Sequence, residues 1–181
     1  MLKSYKDKSK NKPYIIVEIS DKIMVNIMKK VRQILNIDSL HKNSIMGENV
    51  TVAVLDTGIY NHPDFGERII KYKDFVNGKT AIYDDEGHGT HVTGILAGDG
   101  KMSNGFFKGI APKSDIVSLK VLDKRGIGKE DNVISGIWWI IDNGKKYNIK
   151  VVNISFGTFN KEGNNKKLIE AVELLWDMGY V

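Results

Sequence analysis

The sequence predicts an α/β fold: a parallel sheet flanked by helices, in three layers. Thr51-Val-Ala-Val-Leu55 is a short apolar run without polar alternation, as a strand buried on both faces requires. Strand-like runs at 115–122 and 150–154 follow it, and segments with helical spacing of apolar residues lie between and after them. Alternating strands and helices of this kind build parallel sheets with both faces covered. Tyr180-Val181 begins another apolar run, so the sheet is expected to be incomplete at the C-terminus.

Taken in order, residues 1–13 carry Lys3, Lys6, Lys8, Lys10 and Lys12 and are expected to form a basic, disordered arm. Residues 13–20 read as a strand rich in β-branched and aromatic side chains. Asp21 can cap a helix over 22–35, where Met24, Ile27, Met28, Val31, Ile34 and Leu35 form an apolar stripe. This strand and helix make a small unit over 14–47, linked onward by 36–49, with the main domain at 48–181. Strand 51–55 delivers Asp56 to its carboxyl end, where Thr57-Gly58 turns the chain. His62-Pro63-Asp64-Phe65 is a turn, 69–75 holds a strand, and 80–86 is an acidic loop. A helix over 89–98, a glycine-containing loop to Lys108 and the strand at 115–122 come next. Asp123 to Gly128 is an exposed turn. Glu130 and Asp131 open a helix to Asn143, where negative charge favours the helix N-terminus, and Gly144 ends it. The last strand is 150–154 and the last helix 165–178.

A chain of 181 residues suits one main domain with a substantial core. No apolar run approaches the ~20 residues that span a bilayer, and no apolar region follows the N-terminal lysines as in a signal peptide. A cytoplasmic location and no membrane partner are therefore expected. The net charge of +5 owes much to the basic arm, which is read as a solvated tail, so no nucleic-acid partner is expected. The absence of cysteine excludes disulfides and thiolate metal sites.

Chemistry concentrates at Glu86-Gly87-His88-Gly89-Thr90-His91, where glycine on each side of His88 removes bulk at the start of a helix. Asp56 lies at the edge where open α/β sheets place their sites. A carboxylate beside an imidazole fixes its tautomer and stabilises the imidazolium formed in proton transfer. Such an acid/base pair still needs a nucleophile.

The motifs Val52-Ala-Val-Leu-Asp-Thr-Gly58, His62-Pro63-Asp64, Gly87-His-Gly-Thr-His-Val-Thr-Gly94, Gly109-Ile-Ala-Pro112, Lys120-Val-Leu122 and Asn153-Ile-Ser-Phe-Gly157 occur in that order. Together they resemble the amino-terminal half of the catalytic domain of a subtilisin-like serine protease, over about residues 48–181. The resemblance implies an endopeptidase acting on protein or peptide segments, with Asp56 as the catalytic aspartate, His88 as the general base and His91 as a structural residue. It places Ser155, Phe156 and Gly157 along the substrate backbone and the S1 pocket. Gly126, Ile127 and Gly128 fall on the opposite side of the peptide. Recognition of an extended segment by strand addition draws its affinity from main-chain hydrogen bonds.

The family's oxyanion-hole asparagine loop and its Gly-Thr-Ser-Met-Ala type nucleophile motif do not occur among these residues. The serine is therefore expected beyond Val181, in a C-terminal half of the catalytic domain that acts as partner, and the 181 residues alone are expected to be inactive. Asp99 to Phe107 lies where many subtilases hold calcium. Its single carboxylate and central Lys101 make a poor oxygen cage, so no metal is expected there, and the loop resembles that of intracellular bacterial members. No organic cofactor is implied. The 14–47 unit fits a short propeptide or a packing extension.

Three other readings compete. Leu55-Asp56-Thr57-Gly58 resembles the aspartic-protease signature, but that fold is nearly all β and the helical periodicity of 130–143 and 165–178 opposes it. His62, His88 and His91 form a candidate zinc set. A shortened, non-catalytic subtilase would act as a peptide-binding or regulatory module.

Overall fold

The computed structural model describes residues 2–6, 13–17, 30–157 and 166–181, and the chain divides into two compact units, Met1–Leu40 and His41–Val181. In the first unit, β1 (Leu2–Lys6) pairs antiparallel with β2 (Pro13–Val17). The expectation of a disordered arm over 1–13 is thus corrected for Leu2–Lys6. The connection between the two strands is short, so closing it costs little chain entropy, and the β-rich run at 14–17 offers the ladder a template. Of the helix expected over 22–35, residues 30–34 are helical, and the start of its apolar stripe lies outside the described residues. The expected linker at 36–49 holds a further short helix, α1 (Ile37–Lys42), entered through Asn36 at φ +52°. Arg32 pairs with Asp38 within the first unit.

The second unit is built on a four-stranded parallel sheet in the order β4-β5-β3-β6. Its strands are β3 (Thr51–Asp56), β4 (Ile69–Asp74), β5 (Asp115–Lys120) and β6 (Ile149–Ile154). Every residue of β3 is buried, which explains the missing polar alternation in its sequence. The helices are α2 (His88–Ala97), α3 (Glu130–Asn143) and α4 (Lys166–Asp177).

Two separate clusters show that both faces of the sheet are covered. Ala53, Leu55, Val117 and Leu119 pack with Val133, Ile137 and Ile140 of α3 and with Ala171 and Leu175 of α4. The other cluster joins Ile116 to Ala97 of α2, Ile59 and Phe65. Strand residues two apart share a face, so Val117 and Leu119 serve one layer while Ile116 serves the other. The arrangement is the three-layer α/β fold expected from the sequence. Small residues permit the close approach of layers, since a Cβ on Gly136 of α3 would meet Val121 and Leu55 at 3.1 and 3.3 Å.

Because all four strands run parallel, their carboxyl ends share one edge. Asp56 stands there at the end of a central strand, flanked by the exits of β5 and β6. At the outer side of β6, Val152 N–H donates to Val181 C=O and Val181 N–H donates to Lys150 C=O. Among the described residues, no helix is long and apolar enough to cross a membrane.

Ile137 is fully buried in the α3 layer, away from that edge. Truncation by Ile137→Ala is expected to lower the unfolding free energy by about 2–5 kcal/mol, measured from denaturant midpoints, through lost transfer energy and the cavity left behind.

Candidate active site

The site begins with a buried carboxylate. Asp56 is 1% exposed, and its Oδ1 accepts the Thr57 backbone N–H at 2.7 Å. His88 Nδ1 lies 2.8 Å from Asp56 Oδ1 and 3.0 Å from Oδ2. A carboxylate only accepts, so Nδ1 carries the proton and Nε2 keeps its lone pair. Nε2 makes no hydrogen bond among the described residues, and the His88 side chain is 43% exposed. The imidazole is therefore anchored at one nitrogen and open at the other.

The hydrogen bond to Asp56 pushes the His88 pKa above the ordinary 6.5. Partial burial opposes that shift, and the charges of Asp56, Glu86 and Asp84 add to it. Since α2 starts at His88, its unpaired N–H groups would disfavour the imidazolium, and these carboxylates offset them.

Asp84 and Thr57 set where α2 begins. Asp84 Oδ1 accepts from Thr57 Oγ1 at 2.9 Å and from Gly87 N–H at 2.8 Å. Its Oδ2 accepts from Thr90 N–H at 2.9 Å and from the Thr90 hydroxyl. Burial alone would raise the Asp84 pKa, but these bonds outweigh it and hold the carboxyl below its ordinary range. Thr57 Oγ1 in turn accepts Gly89 N–H at 2.8 Å, tying the end of β3 to the first turn of the helix. Gly87 adopts φ +104°, which a side chain would resist. Gly89 is needed for a different reason: a Cβ there would sit 2.2 Å from Gly58 O and 3.1 Å from Asp56 Cβ.

The remaining residues singled out from sequence leave the same sheet edge. Ser155, Phe156 and Gly157 follow β6, with Ser155 and Gly157 exposed and Phe156 packed against the core. The Ser155 hydroxyl bonds the Asn153 side chain, with Oγ 2.9 Å from Nδ2. Gly126 and Gly128 follow β5 in a turn closed by Asp123. Gly126 takes φ +70° and donates its N–H to Asp123 C=O, while Gly128 bridges to Leu122. A Cβ on Gly128 would meet Leu122 Cδ2 at 2.6 Å. Asp56 and His88 are in direct contact, and the two glycine-containing segments stand at the exits of the flanking strands.

His91, which the resemblance makes a structural residue, is exposed on α2 and makes no side-chain hydrogen bond among the described residues. Its place in the helix rests on its backbone N–H, which donates to Gly87 C=O. His62 Nδ1 accepts Asp64 N–H within its own turn. Among the described residues, no group of three His, Asp or Glu side chains is arranged to hold a metal ion. In the loop after α2, Asp99 Oδ1 accepts Lys101 N–H and Asp64 Oδ1 accepts Met102 N–H, both at 2.8 Å. The two carboxylates nearest that loop thus serve its backbone.

Asp84, Thr57 and Lys120 escaped the sequence reading as parts of the site. An aspartate shortly before a helix start is a capping signal, which points to Asp84. Lys120 carried a different signal, a lysine inside a run of apolar residues.

The sequence model of the subtilase family matches residues 47–179. The chain belongs to the subtilase family. Serine protease AprX of Bacillus subtilis is 41% identical, over 76% of this chain and 33% of its own length. Thermitase of Thermoactinomyces vulgaris is 35% identical, over 75% of this chain and 46% of its own. Among solved structures, Sphericase superposes with a TM-score of 0.63 at 31% identity, covering 74% of this chain and 44% of that one. A cold-adapted subtilisin-like serine proteinase gives 0.57 at 32% identity, with 71% and 44% covered. This subtilase chain therefore spans a third to under half of the relatives' length. The α/β sheet and the family together exclude the aspartic-protease reading.

Gly89→Ala is expected to separate Asp56 from His88, because the new methyl group overlaps the Gly58 carbonyl. NMR titration should then show the His88 midpoint falling toward 6.5, with a lower melting temperature.

Proposed function

We propose that this subtilase sequence supplies the acid/base half of a serine endopeptidase that cleaves extended peptide segments. The observation that carries the proposal is the Asp56–His88 contact, with Nδ1 held at 2.8 Å and the His88 side chain 43% exposed, leaving Nε2 accessible. In this reading His88 Nε2 takes the proton of an attacking serine hydroxyl, and Asp56 holds the tautomer and stabilises the resulting imidazolium. Nε2 then returns that proton to the leaving amine. The serine comes from chain beyond Val181, a placement supported by the family's nucleophile motif not occurring in these residues and by the match covering only 33% and 46% of two relatives' lengths. Ser155, Phe156 and Gly157 line one side of the bound peptide, and Gly126 and Gly128 line the other. The positions of both segments at the exits of β6 and β5 support this role. The substrate is protein, with no metal and no organic cofactor taking part in the reaction.

We also place the protein in the cytoplasm. The support is the loop 99–107, with its single carboxylate and Lys101, which resembles that of intracellular members. Recovery of the protein from culture medium rather than from a cell lysate would overturn that placement.

In the full chain, His88→Ala should reduce kcat on a peptide substrate by about 10⁶-fold, the scale on which triad members act together in subtilisin. Unchanged turnover would overturn the proposal. Catalysis needs His88 neutral, and its pKa is raised. Activity should therefore climb with pH along an acid limb in kcat/KM placed above 6.5. Asp56→Asn should cut kcat about 10⁴-fold and move any residual acid limb downward, because the hydrogen bond that raises His88 is lost.

A further inference from the structure

Lys120 ends β5 with a side chain that is fully buried. In register it pairs with Asp56 on β3 and with Asp74 on β4. Its ammonium donates to three oxygens from three different segments. These are Thr57 C=O, Asp85 Oδ1 at 2.7 Å and Leu122 C=O at 2.9 Å. Three donors meet three acceptors, so the group is satisfied. The ring of Tyr83 lies 5.0 Å from the same nitrogen.

Each acceptor belongs to a part of the site. Thr57 is the residue whose N–H orients the Asp56 carboxylate, whose hydroxyl donates to Asp84 and whose Oγ1 receives Gly89 N–H. Asp85 lies in the loop that leads into His88. Leu122 opens the segment running to Gly126 and Gly128. Lys120 is buried while Asp85 is partly exposed; desolvation of the ammonium offsets the attraction of the pair, so its best-attested use is to specify a geometry. A compact ammonium with rotatable donors can reach three divergent oxygens, which a planar guanidinium fork cannot.

We propose that Lys120 is a positioning residue for the Asp56–His88 pair, holding the Thr57 peptide and the Asp85 loop in the one arrangement that aligns carboxylate and imidazole. The inference deepens the protease reading and rests on it for its kinetic consequence. Its structural content, that Lys120 controls the Asp56–His88 contact, stands apart from turnover. Misplaced reacting groups lose on the order of 10- to 100-fold in rate. Lys120 reaches the chemistry through Thr57 and Asp85 and does not itself touch substrate.

The test compares Lys120→Met and Asp85→Asn with the parent in the full chain. Asp85 is partly exposed and its amide is nearly isosteric, so this second variant remains informative where loss of the buried lysine prevents folding. Both variants are read by peptide kinetics, by NMR titration of His88 and by thermal melting. The expected result for Lys120→Met is a kcat loss of roughly 10- to 100-fold with KM changed far less, and a His88 midpoint that falls toward 6.5. Asp85→Asn should move both quantities the same way by a smaller amount. A lower melting temperature with parental kcat and parental His88 titration would show a purely structural lysine and overturn the inference. A shifted His88 midpoint in a chain that cleaves no peptide would uphold the positioning role while the protease reading fails. Turnover that depends on His88 but is indifferent to both substitutions would do the reverse.

Discussion

The site depends on one constraint: a carboxylate is buried at the end of a strand and every bond it makes must come from a fixed donor. Asp56 is shielded from water, so its charge is tolerable only when hydrogen-bonded. The Thr57 N–H and the His88 Nδ1–H satisfy it. Meeting that requirement orients the imidazole ring, whose Nδ1 lies 2.8 and 3.0 Å from the two oxygens. The placement of the His88 ring is thus a by-product of solving a burial problem.

A second aspartate solves the problem of bringing strand and helix together. β3 and α2 are far apart in sequence, and Asp84 with Thr57 joins them by bonds to both sides of the junction. Glycine then sets the approach distance, since any side chain at 89 would occupy the space of the Gly58 carbonyl. The acidic character of 84–86 has an electrostatic use as well. It counters the positive end of α2, which would otherwise oppose a charged His88. The same loop carries Asp85 to the buried Lys120, so charge balance and loop placement are coupled.

Parallel strand order gives the site its layout. With β3 between β5 and β6, the segments leaving both neighbours fall on either side of Asp56. Their backbones differ in availability: the Asp123 turn uses the N–H of Gly126 and both polar groups of Ile127 internally, whereas Ser155 and Gly157 are exposed. One rim is a closed turn and the other an open edge.

The sequence by itself determined the layered α/β architecture, because apolar period and length are local properties that burial on two faces imposes directly. The bounds of α3 and α4 and the strands at 51 and 115 could be read to within a residue or two. Asp56 and His88 were singled out through the ordered set of family motifs, since a strand-end aspartate or a glycine-flanked histidine alone assigns no role. Residues 1–13 read as a solvated tail because lysines dominate them, yet Leu2–Lys6 finds a partner strand that composition does not reveal. Only the tertiary structure decided the strand order, which depends on crossovers and not on local pattern. It alone identified Thr57, Asp84 and Lys120 as parts of one junction. Their side chains act on groups tens of residues away, and a hydrogen bond between distant segments leaves no periodic trace along the chain.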